Sequence, residues 1–212
     1  MKFLNFLLLG FVLLIGCSCA GAGIKPPKDT NTQTMSLAEF QYGVTVRIYV
    51  KCGKDESTGS GVAVGSDRLV TAQHVIDCAE TPEITIKTFD TRNTLAVIIR
   101  QDAEMDFAVL SVSKEFFKFW AIPAPIILPL DAVVASIGGD YVVFLCKKTG
   151  RVFKQDKEFI FHTIWIKRGN SGGPLFYRGQ LVGINVRATM DPMREYAALA
   201  IPATLWAPLL LE

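Results

Sequence analysis

The 212-residue sequence predicts an all-β protein built as two antiparallel six-stranded β-barrels. Three observations carry that prediction. Apolar and polar residues alternate along short runs, as Val44, Val46, Ile48 and Val50 do against Thr45, Arg47, Tyr49 and Lys51. That period of two turns one strand face to a core and the other to water. Turn-forming residues punctuate such runs about every eight to twelve positions, the rhythm of barrels and sandwiches. A proline-bearing stretch, Lys114 to Pro129, carries Pro123, Pro125 and Pro129 and separates two sets of runs. Proline cannot donate to a sheet ladder, so this stretch reads as a crossover, 114–130, between barrel 1 (about 41–113) and barrel 2 (about 131–202).

The elements follow in order. Met1-Lys2 is a minimal positive start, and Phe3 to Ile15 is an apolar segment too short to span a bilayer, so 1–16 reads as a secretory signal. Leu14-Ile15-Gly16-Cys17 resembles the bacterial lipoprotein box. That resemblance implies cleavage before Cys17, lipidation of its sulfur, and a membrane-anchored domain outside the cytoplasm, with Ser18 pointing to the outer membrane if the source is Gram-negative. Residues 17–35, rich in Gly, Pro, Lys, Thr and Asn, read as a flexible tether. Ser36-Leu37-Ala38-Glu39 has capping-box form and predicts a short helix at the start of the 36–212 domain.

In the first set, strands are expected over 44–51, 59–64, 69–72, 83–89, 95–101 and 107–112, with 53–59 a polar loop and 74–79 one helical turn. In the second set they are expected over 132–137, 141–147, 159–166, 175–177, 181–187 and 196–201. Gly138-Gly139-Asp140 and Arg178-Gly179-Gln180 read as hairpin turns. Ala203 to Leu210 reads as a short C-terminal helix.

Composition narrows the partners. The formal net charge of +2 gives no basic footprint for nucleic acid. Five cysteines and two histidines form no CxxC and no set with zinc spacing, so neither a metal nor another cofactor is expected.

The chemistry centres on Lys167-Arg168-Gly169-Asn170-Ser171-Gly172-Gly173-Pro174-Leu175. Glycines around a serine permit a tight turn that exposes the hydroxyl and aims backbone N–H groups into a cleft. Acyl transfer needs that pairing of a nucleophile with donors for a developing oxyanion. A serine also needs a base, and the base a carboxylate. His74 follows the run Leu69 to Gln73, and Asp106 opens the apolar run Phe107 to Leu110. Asp102 and Glu104 are rivals for the carboxylate. Asp106 is preferred because the strand behind it can bury its side chain. His162, on an alternating run, reads as a structural or surface residue. The order His, Asp, Ser is one of the known arrangements of this triad.

Gly59-Ser60-Gly61-Val62, Leu69 to Val75, Asp106 to Leu110 and Gly169 to Leu175 together resemble a chymotrypsin-fold serine protease. The branch most resembled is the bacterial HtrA type, and Leu199-Ala200-Ile201-Pro202 also resembles the end of that branch's protease domain. The resemblance runs from about Gln41 to Pro202. It implies an active site in the groove between the barrels, with Ser171 as nucleophile, His74 as base and Asp106 as its orienting carboxylate. The N–H groups of Gly169 and Ser171 would form the oxyanion hole.

It further implies a serine endopeptidase acting on extracytoplasmic proteins through an acyl-enzyme. Trp165 stands where trypsin-like enzymes carry the acid at the floor of their specificity pocket, so cleavage after small or medium aliphatic residues is expected. Val186, Arg187 and Ala188 would line the substrate groove. Asn170 replaces the aspartate that pairs with a new N-terminus in zymogens, so no activating cleavage is expected. With Cys17 lipidated, the other four cysteines allow three full pairings. A Cys52–Cys78 bridge would brace the corner bearing His74; family members often carry a bridge beside the histidine, at differing positions. No PDZ domain is expected after the barrel, and the oligomeric state stays open. The competing readings are a catalytically silent lipoprotein that binds peptides in the same cleft, and an esterase, since Gly169 to Gly173 fits Gly-x-Ser-x-Gly.

Overall fold

The computed structural model describes residues 35–139, 145–191 and 194–211. The expected signal, Cys17, Cys19 and most of the tether lie outside the described residues. Helix α1 (Leu37–Val44) begins at Ser36, whose hydroxyl accepts the Glu39 N–H while the Glu39 carboxylate accepts the Ser36 N–H. The capping box thus satisfies two N–H groups that the first helical turn would leave orphaned.

Barrel 1 comprises β1 (Thr45–Cys52), β2 (Asp55–Ala63), β3 (Arg68–Thr71), β4 (Glu83–Thr88), β5 (Asn93–Asp102) and β6 (Phe107–Ser111), with helix α2 (Gln73–Ile76) after β3. Its strands close in the order β1-β2-β3-β6-β5-β4. The alternation seen in β1 faces Val46, Ile48 and Val50 inward, all buried. The expected polar loop 53–59 is instead a hairpin, with Cys52 opposite Asp55. Its Asp55 to Glu56 arm is exposed and shows no alternation because both faces meet water.

Barrel 2 comprises β7 (Val133–Gly138), β8 (Cys146–Gln155), β9 (Ile160–His162), β10 (Pro174–Tyr177), β11 (Gln180–Asp191) and β12 (Arg194–Pro202). It closes as β10-β11-β12-β9-β8-β7, the topology of barrel 1 repeated. Arg178 and Gly179 both take positive φ, 49° and 83°, and join Tyr177 to Gln180 as the expected tight hairpin.

Three expectations are corrected here. Of the strand placed at 141–147, residues 141–144 lie outside the described residues, and the described part, β8 from Cys146, runs on to Gln155. Gly138 pairs with Cys146, so no three-residue turn at 138–140 joins β7 to β8. The strand placed at 159–166 ends at His162, because beyond it side chains take over the hydrogen bonding: the His162 ring accepts the Ile164 N–H, and the Tyr196 hydroxyl accepts the Ile166 N–H.

The crossover is tied to both barrels, Ala121 N–H to the Ala63 carbonyl and Ala124 N–H to the Leu181 carbonyl. After β12 the chain forms α3 (Ala203–Trp206) and a 3-10 turn (Ala207–Leu210). Trp206 is fully buried, stacks on Phe107 of barrel 1 at 5.6 Å, and donates its indole N–H to the Ile201 carbonyl of barrel 2. The larger apolar core joins both barrels, with Phe107 and Leu110 from one and Phe176, Ile184 and Val186 from the other. That shared core fixes one barrel against the other.

Candidate active site

His74 lies in α2, immediately after β3, and Asp106 in the β5–β6 turn. The Asp102 carboxylate accepts the Met105 N–H at 2.9 Å and so shapes this turn rather than serving as a solvated rival. Asp106 takes φ +57°, a left-handed conformation that costs a non-glycine residue about 1–2 kcal/mol. Its carboxylate holds that geometry by bonding His74 twice. Oδ1 accepts the His74 backbone N–H at 2.9 Å, and the two oxygens lie 3.0 and 2.8 Å from Nδ1. A carboxylate accepts at these oxygens, so Nδ1 is the donor, and in the neutral ring that tautomer leaves the lone pair on Nε2. The imidazole is 45% exposed and the carboxylate 27%, less buried than expected from the strand behind it. A disulfide between Cys52 and Cys78 ties the end of β1 to the segment after α2 and braces this corner. Cys146 is exposed and unpaired.

Ser171 sits on the loop from β9 to β10. Gly172 holds φ +79°, and a Cβ there would fall inside the Thr71 hydroxyl and the Ser60 carbonyl. The loop is therefore pressed against the strands of barrel 1 that lead to His74. Asn170 is buried, and its amide is filled from within the chain. Its Nδ2 donates to the Gly139 carbonyl at 3.1 Å, and its Oδ1 accepts the Lys167 N–H at 3.0 Å and the Lys148 ammonium at 3.4 Å. Lys148 also donates to the Trp165 carbonyl at 2.8 Å. Lys148 carried no signal in the sequence, because it contacts the loop only once β8 is in place.

Among the described residues, neither the Gly169 nor the Ser171 backbone N–H donates a hydrogen bond, and Gly169 takes φ +88°. No described residue occupies either donor. The Ser171 hydroxyl donates to the Val186 carbonyl at 3.1 Å and not to the His74 ring. The ladder between β11 and β12 shifts register between Asn185 and Arg187, so Val186 is the extra residue of a bulge. Bulges beside sites re-aim a backbone group, here the Val186 carbonyl. The Val186 side chain is itself buried, and Arg187 and Ala188 are exposed beyond it.

A model of the trypsin-like peptidase domain matches residues 59–184, more than half of the chain. The chain belongs to the trypsin-like peptidase domain family. A probable periplasmic serine endoprotease, DegP-like, from Hahella chejuensis is 34% identical over 140 residues, 61% of this chain and 29% of that protein. Its counterpart from Rickettsia prowazekii is 29% identical over 191 residues, 82% of this chain and 37% of the relative. The chain thus spans well under half the length of these relatives. The crystal structure of the serine endoprotease from Yersinia pestis superposes with a TM-score of 0.73 at 24% identity, covering 88% of this chain and 67% of that one. The HtrA-type protease AlgW with a tripeptide gives 0.72 at 23%, over 82% and 61%. At such identities the likeness carries the fold.

Within this trypsin-like domain, Trp165 does not floor a buried pocket. Its indole is 56% exposed and packs on Tyr196 with ring centroids 4.3 Å apart. The flanking Ile164 and Ile166 are the buried members of that run. His162 is fully buried behind the serine loop. Its Nε2–H donates to Asn185 Oδ1 at 2.9 Å and its Nδ1 accepts the Ile164 N–H at 3.3 Å. Burial pushes its pKa down to about 4, against a smaller upward pull from Asn185. Asn185 in turn donates to Ser136 Oγ at 2.7 Å and the Gly173 carbonyl at 3.0 Å, and its own carbonyl accepts the Gly172 N–H at 2.6 Å. The histidine expected to be structural or on the surface is structural.

Proposed function

We propose that the protein is a serine endopeptidase of the HtrA/DegP type. Ser171 is the nucleophile, His74 the general base and then acid, and Asp106 the carboxylate that holds the imidazole. The observation that carries this reading is the pair of hydrogen bonds from His74, backbone N–H and ring Nδ1, to the Asp106 carboxylate, together with two N–H groups on the Ser171 loop that have no partner among the described residues. Substrate lies extended along Val186 to Ala188, offering its backbone to the exposed stretch of β11. The Ser171 hydroxyl rotates from Val186 to Nε2, loses its proton there and attacks the scissile carbonyl. The oxyanion draws on the Gly169 and Ser171 N–H groups. Protonated His74 then gives its proton to the leaving amine, and water repeats the cycle to release the acyl group.

The relatives' periplasmic naming supports work outside the cytoplasm. The lipobox-like Cys17 supports an acyl anchor to a bacterial membrane, and the resemblance to HtrA-type enzymes supports cleavage after small or medium aliphatic residues. The second reading is a catalytically silent peptide binder. Its support is the resting hydroxyl of Ser171, bonded to Val186 rather than to the base.

A fluorophosphonate probe decides between them. The endopeptidase reading expects labelling of the folded protein and none of Ser171→Ala; folded but unlabelled wild type would leave the binder. Metabolic labelling with palmitate, lost in Cys17→Ala, tests the anchor, and incorporation unchanged in that variant would reject it.

A further inference from the structure

We propose that Ser60 is a positioning residue for the oxyanion-hole loop, an inference that rests on the catalytic reading above. Ser60 lies in β2 of barrel 1 and is fully buried. Its hydroxyl donates to the Gly169 carbonyl at 2.6 Å and accepts the Gly139 N–H at 3.2 Å. Its backbone N–H donates to the Ser171 carbonyl at 2.8 Å. Its carbonyl accepts the Thr71 hydroxyl at 2.8 Å, three residues before His74. One residue of barrel 1 thus grips the serine loop of barrel 2 on both sides of Asn170, and is itself bonded to the strand that leads into the helix bearing His74.

The consequence for the site is geometric. Gly169 takes φ +88° and has no side chain to restrict it, so its peptide groups turn easily unless their carbonyls are anchored. The Ser60 hydroxyl supplies that anchor at Gly169, and the Ser60 N–H supplies a second at Ser171. These bonds fix the Gly169–Asn170 and Ser171–Gly172 peptides, which flank the peptide that carries the Ser171 N–H and adjoin the one that carries the Gly169 N–H. Deleting the hydroxyl leaves the Gly169 carbonyl and the Gly139 N–H buried without this partner. The loop then relaxes to satisfy them elsewhere, and the adjoining peptides that carry the Gly169 and Ser171 N–H groups shift with it. Ser60 touches no reacting atom. It acts through the loop, and a site with a misdirected donor loses transition-state stabilisation rather than ground-state binding.

The test is the kinetics of fluorophosphonate labelling in the full chain and in Ser60→Ala. We expect kinact to fall roughly 10- to 100-fold, less than the loss on deleting an oxyanion donor outright, with KI within about twofold of wild type. The final labelled fraction counts folded sites, and the rate is read on that fraction, so partial misfolding lowers the amplitude and leaves the comparison intact. A Ser60→Ala protein that labels with wild-type kinact overturns the proposal, as does a loss confined to KI. Wild type that fails to label, or Ser171→Ala that labels, overturns the catalytic reading instead.

Discussion

Buried, neutral His162 makes the stability of this fold depend on pH in a defined window. Its ring is used on both nitrogens, donating from Nε2 to Asn185 and accepting at Nδ1 from Ile164. A second proton would have to enter at Nδ1, where the Ile164 N–H already points. Burial holds the folded pKa near 4, below the ordinary 6.5. The folded state therefore refuses a proton that the unfolded chain accepts. The contribution is complete above pH 6.5, falls as the pH drops through the window, and is gone near pH 4. Linkage gives a loss of about 2 kcal/mol at pH 5 and about 3 kcal/mol at pH 4. The assay is urea unfolding of wild type and His162→Gln at pH 7.5, 6, 5 and 4.5, because the difference between the two curves removes every other titrating group. Wild type should lose stability toward acid faster than the variant, with the gap closing by about 2 kcal/mol between pH 7.5 and 5. Parallel curves would refute the reasoning, since they would mean that His162 accepts its proton in the folded state at no cost.

Three further outcomes are expected. Asp106→Asn should lower kcat about 10⁴-fold with little change in fold, because an amide can donate to Nδ1 and turn the proton onto Nε2; a loss under about tenfold in peptide hydrolysis would contradict the assigned tautomer. Replacing Cys52 and Cys78 with serine removes a cross-link over a sequence separation of 26 and should cost about 3 kcal/mol, lowering Tm by roughly 6–12 °C in a thermal melt. Gly172→Ala should be worse than its size suggests, since φ +79° and the Ser60 carbonyl both oppose a Cβ there; at least about 2 kcal/mol of stability and nearly all labelling of Ser171 should be lost.

How far the sequence spoke for itself followed from the range of each interaction. The capping box at Ser36, the alternation of β1 and the turn at Arg178-Gly179 are local, and each reads directly from neighbouring residues. β8 escaped because most of its positions are exposed or half-exposed, so neither face prints an apolar rhythm. The arm of β2 escaped for the same reason. At the site, residue types and their order were visible, including the preference for Asp106 over Asp102. The Val186 bulge, the resting direction of the Ser171 hydroxyl and the grip of Ser60 on Gly169 were not. The last joins residues 109 apart in the chain, and no pattern along the sequence encodes which buried hydroxyl will meet which carbonyl. The repeat of one topology in both barrels was also hidden, because it is a matter of strand pairing and not of residue period.

The two barrels are each drawn from one unbroken length of chain, 45–111 and 133–202, while the proposed base and nucleophile stand on opposite lengths. A half-synthesised molecule therefore owns the proposed base and its carboxylate with no nucleophile to activate. On the proposed chemistry, cutting ability arrives only when the second half has closed and seated against the first, so the nascent product stays harmless to its neighbours until it is finished.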